Sequence, residues 1–261
     1  MNNKFALVTG ASSGIGKDMC LELASRGYNL IVVARSKDKL DSIKNELTEK
    51  FNIQVHVITC DLSLLNSSQE LYDQVKKLNI EVGLLINNAG YGIHKFFTDT
   101  SWPEQEAMLN LLIINLTHLT TLFAKNMVKN NSGKILLTSS IGAFQPTPSY
   151  ATYAAAKSYV YNFGTALNYE LKDSDVSCSV LCPGYTISGF QQAAGQKNIT
   201  LFTRLTQMTS RKVAKIAIKG LLNNKPIIIP GFMNSFNSKL MSLLPNQLSA
   251  KLSLWALGKP E

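Results

Sequence analysis

The run Ser149-Tyr150-Ala151-Thr152-Tyr153-Ala154-Ala155-Ala156-Lys157 sets two phenols near one amine in a stretch of small residues. A free tyrosine titrates near pKa ~10, so it does proton chemistry at neutral pH only when its surroundings favour the transfer. Small residues at helical spacing serve equally well as a surface that packs on a neighbour. The run alone leaves both uses open, and leaves open which tyrosine would act.

A second group of residues suits phosphate. Thr9-Gly10-Ala11-Ser12-Ser13-Gly14-Ile15-Gly16 follows a short apolar run and opens a helical pattern. Glycines let a backbone turn tightly and approach a pyrophosphate, and a helix N-terminus offers free amides with a positive dipole end. The spacing is GxxxGxG rather than GxGxxG. Gly10, Ser12, Ser13, Gly14, Ile15 and Gly16 are therefore candidate dinucleotide contacts. The next apolar run ends Val32-Val33-Ala34-Arg35-Ser36, with Lys39 close by. A carboxylate near this point accepts from the ribose of NAD. Arg35 instead offers a guanidinium that pairs bidentately with a 2′-phosphate, which favours NADP(H) as the cofactor. Asp61 and Leu62 follow the third run, suited to an adenine edge and face. Asn87, Asn88, Ala89 and Gly90 follow the fourth, supplying amides and a close-approach glycine.

These residues need a frame that brings successive strand ends together. Short β-branched and apolar runs at 5–9, 29–34, 54–60, 82–87, 134–138, 177–181 and 227–229 alternate with helical patterns. The helical stretches are 14–26, 36–50, 63–78, 103–129, 150–171 and 210–223. The strands are apolar almost throughout, as parallel strands covered on both faces must be. The alternation predicts an α/β fold: one doubly wound (Rossmann) parallel sheet of about seven strands with helices on both faces. No linker or repeat divides residues 1–261, so a single domain is expected. Ligands of such sheets bind at the carboxyl ends of the strands, where the candidate residues fall.

Composition narrows the classes. Hydrophobic residues make up 45% and charged residues 16%, which is material for a large core. No run of about 18 apolar residues is seen, and the N-terminal MNNKFALVTG lacks the pattern of a leader. Cys20, Cys60, Cys178 and Cys182 stand in apolar surroundings with only three histidines in the chain, so reduced thiols and no metal site are expected. A cytoplasmic location follows as an expectation. The net charge of +9 admits an anionic partner, but Lys and Arg are scattered from Lys4 to Lys259, so nucleic acid is not expected.

Taken in order, TGASSGIG, the Asp61-Leu62 pair, NNAG at 87–90, an Asn in the following helix, a Ser after the fifth strand, YAAAK and the Pro183-Gly184 pair resemble the short-chain dehydrogenase/reductase family. The likeness runs from Thr9 to about Ser188 and is nearest to 3-oxoacyl reductase-like and hydroxysteroid dehydrogenase-like members. It implies a catalytic tetrad of Asn115, Ser140, Tyr153 and Lys157, with Tyr153 and Lys157 also touching the cofactor. It selects Tyr153, which has Lys157 four residues on, over Tyr150, and Ser140 over Ser139. Residues i and i+4 share a helix face, so the Lys157 ammonium, with the positive nicotinamide of the oxidised cofactor, is expected to lower the Tyr153 pKa. Ser140 would stabilise charge on a substrate oxygen. Asn115 would hold a helix turn and a water leading to Lys157. Pro183, Gly184 and Ser188 match the family's segment over the nicotinamide, with Ser188 where Thr is usual.

The implied reaction interconverts a ketone and a secondary alcohol, with a small-molecule carbonyl or alcohol as partner. The competing reading is a non-enzymatic dinucleotide-binding sensor or scaffold on the same fold. A substrate loop is expected at about 189–208, with Phe190, Ala193, Ala194, Phe202, Leu205 and Met208. Tyr91, His94, Phe96 and Phe97 would form the facing wall, His94 with no assigned role. These apolar residues suggest an acyl or sterol-like substrate. The amphipathic tail at 232–258 could cap the pocket, join copies, or rest on a membrane. Packing on the protein is the use expected of it. The resemblance implies a homo-oligomer, dimer or tetramer, through the long helices at 103–129 and 150–171.

Overall fold

The computed structural model describes residues 5–196 and 200–260, without the side chains of Leu201, Phe202 and Leu205. The strands are β1 (Phe5–Thr9), β2 (Asn29–Ala34), β3 (Val55–Thr59), β4 (Val82–Asn87), β5 (Gly133–Thr138), β6 (Val176–Leu181), β7 (Thr186–Ile187), β8 (Met208–Thr209) and β9 (Ile227–Ile228). The helices are α1 (Gly14–Ala24), α2 (Lys37–Phe51), α3 (Ser67–Lys77), α4 (Trp102–Leu109), α5 (Asn115–Lys129), α6 (Ala151–Glu170), α7 (Phe190–Ala193), α8 (Leu201–Thr206), α9 (Ser210–Leu222), α10 (Phe232–Leu243) and α11 (Asn246–Leu257). Seven strands form one parallel sheet in the order β3-β2-β1-β4-β5-β6-β9. The order reverses between β1 and β4, the switch point where such sheets bind ligands.

Each strand divides its side chains between two cores, because successive residues point to opposite faces. Ala6 and Val8 join a cluster with Met19 and Leu23 of α1, Leu40 and Leu47 of α2, and Ala217 and Leu221 of α9. Phe5 and Leu7 join the other, with Leu71 of α3, Leu116 and Phe123 of α5, and Val160 of α6. Burial on both faces is why the strands read as unbroken apolar runs. Gly164 lets α6 lie close to the sheet, since a Cβ there would come within 2.5 Å of Val180 Cγ2.

Two features depart from the expected outline. The helix at 103–129 is not uniform: a π-helical segment, Asn110–Ile114, separates α4 from α5. Wide turns of this kind occur mostly as single insertions at functional sites. The whole segment Trp102–Lys129 is nonetheless long and apolar enough to cross a membrane by length and composition alone. It does not read as an apolar run because Asn, Thr and His interrupt the sequence. Leu116, Leu119, Phe123 and Met127 on it are buried in the core. The second departure is the small parallel pair β7–β8, which ties the segment after Pro183-Gly184 to the end of the expected substrate loop. Residues 197–199 of that loop lie outside the described residues.

Candidate active site

A cavity of about 840 Å³ runs along the carboxyl ends of the strands. One end is the turn from β1 into α1. Gly10 has φ +66°, and a Cβ on Gly16 would meet the Gly10 carbonyl oxygen at 2.1 Å, so both positions demand glycine. Every predicted residue from Gly10 to Gly16, together with Ala34, Arg35, Ser36 and Lys39, lines this end. The Arg35 side chain is 70% exposed and stands 3.9 Å from the Asp61 carboxylate, a loose pair at the rim. Asp61 and Leu62 line the wall beside it.

The seam between β1 and β4 is closed by one hydroxyl. Thr9 Oγ1 accepts from the amides of Asn88 (2.9 Å) and Ala89 (3.0 Å), while Asn88 Nδ2 donates to the Thr9 carbonyl at 3.1 Å. Of the amides expected from NNAG, those of Asn88 and Ala89 are taken by Thr9. Asn88, Ala89 and Gly90 do line the cavity. Asn87 does not; it is buried, and its Nδ2 donates to Thr120 Oγ1 at 2.9 Å. It joins β4 to α5 and is a structural residue.

At the other end the β5 terminus meets α6. Ser139 Oγ donates to the Lys157 carbonyl at 2.7 Å and pins the helix to the strand end. Ser140 faces the cavity beside Tyr153 and accepts from the Gly142 amide at 3.1 Å. Lys157 Nζ donates to the Thr138 carbonyl at 2.7 Å and lies 5.6 Å from the centroid of the Tyr153 ring. Of the alanines, Ala154 and Ala156 are buried while Ala155 is exposed, so the run is a packing surface that also presents a reactive pair.

Burial disfavours charge on both members of that pair. It pushes the Tyr153 phenol well above its ordinary value, opposed by the Ser140 hydroxyl beside it. It holds the Lys157 ammonium down to about 8. In the protein by itself desolvation dominates, and Tyr153 is a protonated phenol across the neutral range. The expected lowering belongs to the cofactor-bound protein, where the nicotinamide adds its charge.

Asn115 stands away from the cavity wall. Its Oδ1 accepts from the Ser68 amide at 3.1 Å, and its Nδ2 donates to the carbonyls of Leu62 (3.0 Å) and Leu64 (2.7 Å). The π segment just before it sets this orientation, and the bonds lock the Asp61–Leu62 turn against α5. Through that turn Asn115 positions the cofactor end of the cavity.

Several wall residues carried little sequence signal. Tyr150 is buried and donates to Gln196 Oε1 at 3.3 Å; Tyr185, from the segment after Gly184, donates to the same oxygen at 3.0 Å. Gln196 Nε2 in turn reaches the Leu257 carbonyl at 3.1 Å, so the end of α11 is tied to the substrate side. His94 is buried with its ring stacked on Tyr150 at 5.0 Å. Phe190 packs on Tyr153 with ring centroids 5.6 Å apart. Phe96 and Phe97 are exposed rather than on the wall. Gly184 sits under Asn234 of α10, where a Cβ would come within 2.6 Å of its amide. Only a contact 50 residues along the chain makes that glycine necessary.

The walls suit a nicotinamide dinucleotide. The glycine turn leaves backbone open at the start of α1, and Pro183, Gly184 and Ser188 line the cavity beside Tyr153 and Lys157. Two buried wall oxygens, Thr138 Oγ1 and Asn234 Oδ1, have no hydrogen-bond partner among the described residues, as a polar ligand would require.

Comparison with known proteins agrees. The family profile described as short chain dehydrogenase matches residues 4–199. A very-long-chain 3-oxoacyl-CoA reductase from Pyrenophora tritici-repentis is 39% identical over 179 residues, covering 66% of this chain and 52% of that protein. The chain thus spans about half the length of the curated relatives it matches. A short-chain dehydrogenase from Sphingobium yanoikuyae, solved in complex with NADPH, has a TM-score of 0.82 at 26% identity over 93% of this chain and 96% of that one. A short chain dehydrogenase/reductase from Burkholderia phymatum, solved with NAD, has a TM-score of 0.81 at 23% identity over 92% of both chains and shares the fold. With the glycine turn, the Ser140–Tyr153–Lys157 cluster and the profile match in one frame, the chain belongs to the short chain dehydrogenase family, whose fold binds NAD(P).

Proposed function

We propose that the protein reduces an apolar ketone to a secondary alcohol with NADPH. The observation that carries this reading is the Ser140–Tyr153 hydroxyl pair in the same cavity as the α1 turn and Arg35. The dinucleotide, when bound, supplies hydride from C4 of its nicotinamide. The amides that open α1 would hold its pyrophosphate, Asp61 and Leu62 its adenine, and Lys157 with Tyr153 its nicotinamide end. Arg35 and Lys39 at the rim, with no carboxylate between β2 and α2, support a 2′-phosphate on the adenine ribose.

Ser140 orients the carbonyl by donating to its oxygen. Tyr153 gives its phenolic proton to that oxygen as negative charge develops there. A phenol held in its neutral form by burial carries the proton that reduction requires. Phe190, Met241, Leu252, Trp255 and Leu257 give the substrate side an apolar wall. The very-long-chain 3-oxoacyl-CoA reductases among the relatives support 3-oxoacyl thioesters as the substrate class. Association of copies through α5 and α6, supported by exposed Val128 and Tyr159, and a cytoplasmic setting for the four free cysteines belong to the same proposal.

The test is NADPH oxidation against ketones and 3-oxoacyl thioesters of increasing chain length. Turnover should rise with apolar length. Dinucleotide binding with no turnover of any member would favour the sensor or scaffold reading.

The pH profile is a second check. The Lys157 ammonium is present below its value of about 8 and is lost as the pH rises through it. Tyr153 remains protonated over that range, so the lysine sets the descending limb. For ketone reduction, kcat/KM should be level below the limb and fall about tenfold per pH unit above it. A profile level up to the ordinary lysine value near ~10.4 would remove Lys157 from the mechanism.

A further inference from the structure

The two C-terminal helices are built inside out. The buried residues of α10 are Asn234 and Ser238, and those of α11 are Ser249 and Ser253. The large apolar residues face outward: Phe232, Phe236, Leu240 and Leu243 on α10, and Leu248, Leu252 and Trp255 on α11. Phe232 is 84% exposed, Leu243 82% and Trp255 73%. At about 100° per residue, each set falls in a stripe less than roughly a quarter-turn wide. Exposed Lys239 and Lys251 flank the two stripes. The tail does pack on the protein, lining the cavity with Asn234, Ser238 and Ser253 and with Met241 and Leu257, but most of its large apolar residues stay outside that contact.

The charge of the chain is segregated in the same region. Residues 1–175 carry 16 basic and 16 acidic side chains. Between Asp175 and Glu261 there are 10 Lys and Arg and no Asp or Glu. The scatter of the basic residues conceals this, because the asymmetry lies in where the acids stop.

We propose that α10 and α11 dock on an anionic phospholipid surface, lying in its plane with the Phe/Leu/Trp stripes in the acyl boundary and the lysines among the headgroups. Interfacial helices have this arrangement of large apolar residues on one face and Lys at its border. Juxtaposed anionic lipid attracts each lysine. A second copy of the chain fits the face less well. Two copies joined through this face would bring four lysines, Lys239 and Lys251 of each, into one interface, with no carboxylate anywhere from 176 to 260 to pair with them. Trp255 and Leu252 both belong to the outer stripe and line the cavity, so docking holds the cavity mouth at the lipid surface.

Co-sedimentation of the full chain with phosphatidylcholine vesicles, with and without phosphatidylserine, tests the proposal. The protein should pellet with the phosphatidylserine vesicles and be released by added salt. The variant Phe232→Ser/Phe236→Ser/Leu240→Ser/Leu243→Ser alters only exposed side chains off the cavity wall. It should unfold at the same temperature and bind about tenfold or more weakly. Lys239→Glu/Lys251→Glu should lose the preference for phosphatidylserine, and decides the matter if the serine variant fails to fold. Wild-type protein left in the supernatant, or a folded serine variant that pellets like the wild type, would overturn the proposal. So would a wild-type oligomer that the serine variant dissolves, without lipid binding, since that assigns the face to a second copy. None of these readouts depends on catalysis.

Discussion

Replacing Tyr153 by Phe is expected to lower kcat for NADPH-dependent ketone reduction by about 10² to 10⁴-fold, the range a general acid contributes. The substitution removes one oxygen. The remaining ring keeps its contacts with Phe190 and Tyr150, whose centroids lie 5.6 and 5.7 Å from that of Tyr153. The loss should therefore fall on the chemical step, leaving NADPH affinity and the thermal midpoint near their wild-type values. Ser140 then keeps its bond to the Gly142 amide but has no phenol beside it, so it cannot substitute as proton donor. Stopped-flow measurement of NADPH oxidation separates the chemical step from cofactor binding. Undiminished single-turnover rates in the variant would show that Tyr153 is not the acid.

The second large effect is expected at the other end of the cavity. Arg35→Asp places a carboxylate where the proposed 2′-phosphate must approach, turning an attraction into a repulsion. The discrimination between NADPH and NADH, as a ratio of kcat/KM values, should fall about 10² or more and reverse in favour of NADH. That corresponds to about 2.7 kcal/mol of differential binding. Asp61 already stands 3.9 Å from the Arg35 guanidinium, so the variant also leaves two carboxylates close together at the rim. Arg35→Ser avoids that pairing and isolates the guanidinium's share. An NADH preference in the wild type, unchanged in both variants, would refute the assignment to Arg35 while leaving the Tyr153 chemistry intact.

The sheet was legible because each strand is buried on both faces and so spells an apolar run. The expected spans differ from the observed ones by a residue or two. The glycine turn was legible because Gly10 and Gly16 answer to local backbone geometry. Contacts between distant segments were less legible. Asn87 and Asn88 are adjacent and alike on paper, yet one turns into the core toward Thr120 and the other toward Thr9. Nothing in a dipeptide distinguishes those directions. The need for Gly184 lies in Asn234, and the partners of Tyr185 lie in Gln196. The phenol's titration is only half legible, for a different reason. A lysine at i+4 is visible in the sequence, whereas the desolvation that raises the phenol in the protein by itself comes from the walls around both residues. The tail's packing on the cavity was legible but its outward stripe was not, because periodicity identifies an apolar stripe without saying whether the stripe faces in or out.

The π segment at Asn110–Ile114 has a consequence for how this helix tolerates being made regular. A wide turn takes up one residue more than an α-turn, so it is in effect an insertion retained in the chain. Winding all five residues of 110–114 as regular α-helix, with none removed, would give a smoother helix, and by the usual standards of helix formation a better one. Everything from Asn115 onward would then be rotated by about 100° relative to α4. Asn115 would leave the carbonyls of Leu62 and Leu64 and the amide of Ser68, and with them the turn that carries Asp61. The irregularity therefore fixes the reading frame of α5 against the sheet, and a more regular helix would put that frame out of register.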